Sequence, residues 1–178
     1  MPEADLILAS ASPRRLQYLQ RAHLQIEVIP VDIDETPLEG ETAAGLVARL
    51  AREKAAAIPT ADIPVVAGDT IVSCRGEFLG KPQDQAAARK MLGVLSGSDH
   101  QVVSGWCVRH ADVFLEGVEV SEVRFRVLDR HQIDHYVDTG EPLDKAGAYG
   151  IQGLGAELVE VVRGSWSNVV GLPVVPVL

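Results

Sequence analysis

Pro64-Val-Val-Ala-Gly-Asp-Thr-Ile-Val-Ser-Cys74 is the stretch on which the reading of this chain turns. Two short apolar runs rich in β-branched residues flank Gly68, Asp69 and Thr70, which predicts one buried strand. A carboxylate buried there without a partner is expensive, or is forced to neutralise. Asp69 must therefore meet water, a cation or a hydrogen-bond network. Gly68 marks a local bend or a close approach of another backbone. A bulge or turn between two shorter strands, with Asp69 simply solvated, fits the same residues equally well. The choice depends on whether other charged groups fall in similarly awkward places.

Composition narrows the field. The 178 residues are 47% hydrophobic and 23% charged, enough to bury a core in one domain spanning 1–178, with room for two lobes. Only 4% are aromatic, so that core is mostly Val, Leu, Ile and Ala. A net charge of −9 argues against a nucleic-acid partner bound by counterion release. A small anionic substrate stays open, provided the cations are concentrated locally. Cys74 and Cys107 both lie in apolar runs and read as reduced core residues. The sequence shows no basic leader followed by an apolar run and no segment long enough to span a membrane, so a cytoplasmic protein without a membrane partner is expected.

Upstream of the central strand, Leu6 to Ala9 reads as a first strand leading into Ser10-Ala-Ser-Pro-Arg-Arg15. Ser12 suits an N-cap, Pro13 the first helical position, and Arg14 and Arg15 fall in the first turn. Cations there oppose the helix dipole, which is wrong for plain stability and right for an anion cradle. Arginines paired with surface carboxylates are the bland alternative. Ile26 to Ile29 reads as a second strand, followed by an acidic loop with Asp32, Asp34 and Glu35. That loop lacks the spacing of a calcium site, though one or two of its acids suffice for Mg²⁺. Thr42 to Ala57 predicts a long helix with Lys54 on the stripe of Leu46 and Leu50, either at the rim of a cleft or snorkelling from the helix end.

Downstream, Arg75-Gly76-Glu77 predicts a hairpin tip, which leaves Lys81 one hairpin away from Asp69. Gly76 to Lys81 is one residue short of a phosphate-binding loop, and Pro82 stands where Ser or Thr is required. Asp84 caps a helix that stops at Ser96-Gly97. Gln101 to Arg109 and Phe114 to Leu128 read as two or three strands, with Val118, Val120, Val123, Phe125 and Val127 on one face and a register slip after Val120. His100, His110, His131 and His135 lack zinc-ligand spacing. His131 to Val137 begins a short helix. Gly140 to Gly155 is glycine-dense without the dinucleotide fingerprint, and reads as a backbone shaped for a ligand or as a packed surface loop. Within it Gln152, both donor and acceptor, suits a base edge. Ala156 to Val162 closes as a last strand, and Gly164 to Pro173 as a capped helical turn.

Taken in order, Ser10-Ala-Ser-Pro-Arg-Arg15, Gly68-Asp-Thr70, Gly80-Lys-Pro82, Leu95-Ser-Gly97 with His100, Asp144-Lys-Ala-Gly-Ala-Tyr-Gly-Ile-Gln-Gly153 and Asn168-Val-Val-Gly-Leu-Pro173 resemble the Maf family of nucleoside triphosphate pyrophosphatases. The resemblance implies an α/β fold like that of the inosine triphosphate pyrophosphatases: a long twisted mixed sheet with flanking helices and a deep cleft between two lobes. It implies hydrolysis between the α- and β-phosphates, a divalent metal (Mg²⁺ or Mn²⁺), a house-cleaning role in nucleotide metabolism, and room for a homodimer. Asp69 matches the family's proton acceptor, and Arg14, Arg15, Glu35, Lys54 and Lys81 match its other cleft residues. Ser10 and Ser12 join the substrate cradle, and Glu35 and Asp69 are the candidate metal ligands. Arg14, Thr70 and Gln152 match positions tied to substrate choice. Gly-Asp-Thr and Gly-Ile-Gln-Gly are similar to the subgroup acting on dTTP and UTP. A pyrophosphatase for 7-methyl-GTP or other modified nucleotides, and a non-catalytic nucleotide-binding regulator, are the competing readings. Whether Asp69 serves as general base or as metal ligand stays open.

Overall fold

In the computed structural model, residues 4–59 and 62–178 are described. Three-residue strand β1 (Leu6–Leu8) pairs in parallel with β2 (Ile26–Val28) and with β3 (Val65–Cys74). β3 is a single ten-residue strand, so Gly68 to Thr70 interrupts nothing. It turns back through Arg75 and Gly76, both at positive φ, into antiparallel β4 (Glu77–Leu79). With β5 (Asp99–His110), β6 (Val113–Phe125) and β7 (Val159–Arg163) the mixed sheet has seven strands, in the order β2-β1-β3-β5-β6-β7 with β4 on β3. Helices α1 (Pro13–Gln20), α2 (Ala43–Ala57), α3 (Gln85–Leu95) and α4 (Arg130–Asp138) flank it, and two short helices, α5 (Trp166–Val170) and α6 (Val174–Val177), end the chain. The fold class is the α/β mixed sheet expected from the sequence.

The chain forms two compact units, Met1–Thr70 with Ser104–Glu119 and Gly171–Leu178, and Ile71–Val103 with Val120–Val170. In the first, alternation along β1 and β3 sorts the core onto two faces. Ile7, Ala9, Val65 and Ala67 pack with Ala51 and Ala55 of α2 and with Cys107. Leu6, Leu8 and Val66 pack with Leu19 of α1 and with Leu172. Parallel strands covered on both faces explain the near-continuous apolar runs. α2 presses so closely on β5 that a β-carbon at Gly105 would collide with the carbonyl of Val47. Thr42 caps α2 by accepting a hydrogen bond from Gly45 N at 3.1 Å. Leu46, Leu50 and Lys54 are all buried along its inner stripe.

In the second unit Arg89 of α3 ion-pairs with Asp134 and Asp138 of α4 at 2.7 and 2.9 Å. His100, Phe125 and Tyr149 meet edge-to-face, and His100 Nε2 lies 2.9 Å from the Tyr149 hydroxyl. Two expected element starts move, and the expected inner face of β6 holds only for Val123 and Phe125. α4 starts at Arg130 because Asp129 and Gln132 form a capping box. β7 starts at Val159, since Leu154–Leu158 is a 3-10 turn held by local hydrogen bonds. The buried row of β6 in this unit is Ser121, Val123 and Phe125, whereas Val120 and Val127 are exposed. Ser121 takes the inner position because its hydroxyl is satisfied there, accepting from Asn168 Nδ2 and donating to the Ser165 carbonyl. Cys74 and Cys107 are buried thiols, as expected.

Candidate active site

Position in the sheet makes the site. β1 pairs with β3 only as far as Leu8 and Val66, with a last bond from Ala9 N to the Val66 carbonyl. Beyond that point β3 runs on through Gly68, Asp69 and Thr70 without β1 beside it. The chain leaving β1 carries Ser10 to Arg15, and the chain leaving β2 carries Glu35. These groups thus gather outside the carboxyl ends of parallel strands, where open α/β sheets bind ligands. Alternation then sends Asp69 toward α2 and Thr70 toward α1.

On the α2 side Lys54 Nζ lies 2.7 Å from Asp69 Oδ1 and 2.6 Å from Glu35 Oε1. The lysine is 7% exposed, so its ammonium is held almost out of water by two carboxylates. The strand alternatives are thereby resolved: Asp69 is partnered on an unbroken strand. Two hard carboxylates converging on one cationic point is also a donor set that suits a divalent ion, since Mg²⁺ takes one or two protein carboxylates and fills its shell with water and phosphate. Among the described residues no group of three or more His, Cys, Asp or Glu could hold a metal, so Glu35 and Asp69 would act with substrate oxygens rather than as a closed protein cage.

On the α1 side Arg15 is buried, and its guanidinium is a structural tie. Nε donates to the Gly171 carbonyl at 2.8 Å, Nη1 to Ser10 Oγ at 3.0 Å and Nη2 to Thr70 Oγ1 at 3.1 Å. Thr70 Oγ1 also lies 2.8 Å from Ser104 Oγ and 3.3 Å from the Gly171 carbonyl. Gly68 keeps this network close to the strand, because a β-carbon there would sit 3.0 Å from the Gly105 carbonyl and 3.6 Å from Arg15 Nε. Burial pulls the Arg15 pKa below its ordinary value. Asp69 opposes that shift, Arg14 adds to it and Glu35 opposes it, so all three charges act on one guanidinium. Ser12 caps α1, with Arg15 N 3.5 Å from its hydroxyl, and Ser10 Oγ accepts from Ser12 N at 3.2 Å. Arg14 is half-buried in the first turn of α1.

The structure thus brings together Ser10, Ser12, Arg14, Arg15, Glu35, Lys54, Asp69 and Thr70 within the first unit. Lys81 and Gln152 belong to the second, both exposed, Lys81 just after β4 and Gln152 at the tip of the glycine-dense segment. Sequence reasoning missed Ser104 and the Gly171 carbonyl. The one signal for Ser104 was a small hydroxyl between the apolar pairs Val102-Val103 and Trp106-Cys107. A backbone carbonyl leaves no signal at all.

Fold and site together define an α/β protein with a paired acid–lysine–acid cluster and an arginine-tied helix start at the carboxyl end of its parallel strands. The chain belongs to the Maf-like protein family, whose profile matches residues 5–178. It is similar to proteins named dTTP/UTP pyrophosphatase from several organisms. That of Anaeromyxobacter dehalogenans (strain 2CP-1) is 53% identical over 172 residues, covering 94% of this chain and 88% of the relative. That of Geobacter sulfurreducens is 47% identical over 182 residues, covering 100% and 95%. That of Pyrococcus furiosus is 43% identical over 175 residues, covering 97% and 92%. A solved structure of a HAM1 protein from Coxiella burnetii is similar over 82% of this chain and 86% of that one, with a TM-score of 0.48 and 19% identity.

Proposed function

We propose that this protein hydrolyses dTTP and UTP to the nucleoside monophosphate and pyrophosphate, in the cytoplasm. The observation that carries the reading is the Glu35–Lys54–Asp69 cluster at the carboxyl end of the parallel strands, in a chain 43–53% identical to proteins named for that activity. Hydrolysis of a phosphoanhydride needs charge neutralisation and an oriented water more than covalent chemistry. Asp69 accepts the proton of the attacking water, and Lys54 fixes its carboxylate with the 2.7 Å bond. Arg14 and the backbone N–H groups opening α1 receive phosphate oxygens. Ser10 Oγ already accepts twice, so its hydroxyl proton is what it offers to substrate. Arg15 holds the α1 start against Thr70 with three of its five N–H donors. Lys81 contributes a further cation, and Gln152 reads the base edge. Glu35 or Asp69, with substrate oxygens, would hold a divalent ion, which would supply Lewis-acid neutralisation of the polyphosphate. No described helix is long and apolar enough to cross a membrane, which is compatible with that location.

The test is a panel of canonical and modified triphosphates incubated with protein and Mg²⁺, with pyrophosphate and nucleotide both quantified. dTTP and UTP should lead the panel. Asp69→Asn should lower kcat by about a hundredfold or more, the scale of a lost general base, while nucleotide still binds. Unchanged pyrophosphate release by the variant removes Asp69 from the chemistry. Nucleotide recovered intact from the wild type would make the protein a binder.

A further inference from the structure

The exposed Gln152 sits on a loop whose two ends are clamped by two side chains, the buried Tyr136 and the half-buried Glu141. Tyr136, from α4, accepts a hydrogen bond from Gly150 N at 3.1 Å and donates one to Glu141 Oε1 at 2.9 Å. Glu141 accepts from Gly155 N through Oε1 at 3.0 Å and from Leu154 N through Oε2 at 2.9 Å. One carboxylate and one phenol therefore fix the backbone on both sides of Gln152 and leave its side chain outside.

The glycines of this segment follow from the same arrangement. A β-carbon at Gly150 would lie 2.6 Å from Lys145 Cε, one at Gly153 would collide with the Glu141 carboxylate, and one at Gly155 would lie 2.5 Å from the Tyr136 hydroxyl. The loop is wrapped onto the clamp with no room for a side chain between them. Lys145 closes the base, donating to the Glu141 carbonyl at 2.6 Å. Burial pushes the Glu141 carboxyl up, but the Gly155 and Leu154 N–H groups, the Tyr136 hydroxyl and Lys145 pull it further down, so the net shift is downward. A charged acceptor with three donors is the strong form of this contact.

We propose that Glu141 and Tyr136 are positioning residues for base selection, setting the place of Gln152 without touching substrate. The inference rests on the reading of Gln152 as the group that meets the base. A side chain that discriminates by hydrogen bonds must be held in place, because a loose donor–acceptor pair satisfies the wrong base nearly as well as the right one. Loss of the clamp should therefore cost selectivity before it costs turnover.

The experiment compares Glu141→Gln, Tyr136→Phe and Gln152→Ala in the full chain with Mg²⁺, using dTTP and GTP. In the two clamp variants kcat for dTTP should stay within about threefold, while the dTTP/GTP ratio of kcat/KM falls about tenfold, the scale of one lost hydrogen bond to a charged group. Amide exchange at Gly150, Leu154 and Gly155 should quicken in parallel. Quickened exchange with an unchanged ratio, while Gln152→Ala does alter it, makes the clamp merely structural and overturns the inference alone. An unchanged ratio in Gln152→Ala overturns the reading of Gln152 and the inference with it. Should Glu141→Gln fail to fold, Tyr136→Phe, which removes a single oxygen, decides the question by the same ratio.

Discussion

At the scale of the residue, burial decides what a polar group does. Arg15 and Arg14 are adjacent in sequence and both were expected to meet phosphate; Arg15 is 9% exposed and places three of its five N–H donors on Gly171, Ser10 and Thr70, while Arg14 is half-buried. His100 shows the same principle through a proton. Burial pushes its pKa down to about 4 from the ordinary 6.5, with Asp99 and the Ser98 backbone opposing. Above 6.5 neither the folded nor the unfolded chain protonates this ring, so stability has no slope from it. Below 6.5 the unfolded chain takes a proton that the folded one refuses until about 4, so stability falls across that window. Near pH 5 the loss should be about 2 kcal/mol. Urea unfolding from pH 7 to 4 should show this decline in the wild type and a flatter curve in His100→Gln. Parallel curves would assign the acid sensitivity elsewhere.

At the scale of the element, the site depends on how closely α2 lies on the sheet. Lys54 reaches Asp69 and Glu35 because the helix backbone at Val47 rests on Gly105 of β5, where a side chain has no space. Gly105→Ala forces helix and strand apart. Overpacking of this kind should destabilise by about 3 kcal/mol, and Lys54 should lose its partners, so activity falls even in the fraction that remains folded. Circular dichroism melts and turnover per folded molecule separate the two effects. A variant with the wild-type midpoint would mean that the contact is not tight in solution. Elements were largely legible in the sequence: the apolar stripe of α2, the Arg75-Gly76 turn and the α3 cap follow from local residues, while the continuity of β3 through Gly68 to Thr70 does not. β6 was not. The expected face placed Val123 and Phe125 correctly but also took in Val120 and Val127, whereas hydrogen bonds from Asn168 and to Ser165 draw Ser121 inward. The valine pattern carries no trace of partners more than forty residues away.

At the scale of the whole molecule, each compact unit encloses one thiol, Cys107 in the first and Cys74 in the second, at 0% and 1% exposure. Burial pushes Cys107 up to about 11, which adds chemical inertness to steric protection. Neither thiol should react with a disulfide reagent in the native protein at neutral pH, and both should react after denaturation in urea. Rapid native labelling of either would show local opening of the unit that holds it.

The sequence by itself determined most of the strands and helices, because periodicity, caps and turn residues act over a few positions. It also placed the unusual charges, since Asp69 in an apolar run and arginines at a helix start are anomalies visible in one dimension. The tertiary structure decided which of those charges are partners. Glu35, Lys54 and Asp69 come from a loop, a helix and a strand, and they meet because β1 stops at Leu8 while β3 continues. It also decided that Glu141, unremarkable among 25 acids, holds the loop of Gln152. Hydrogen bonds of this kind depend on distances that only packing sets, and no local pattern encodes them.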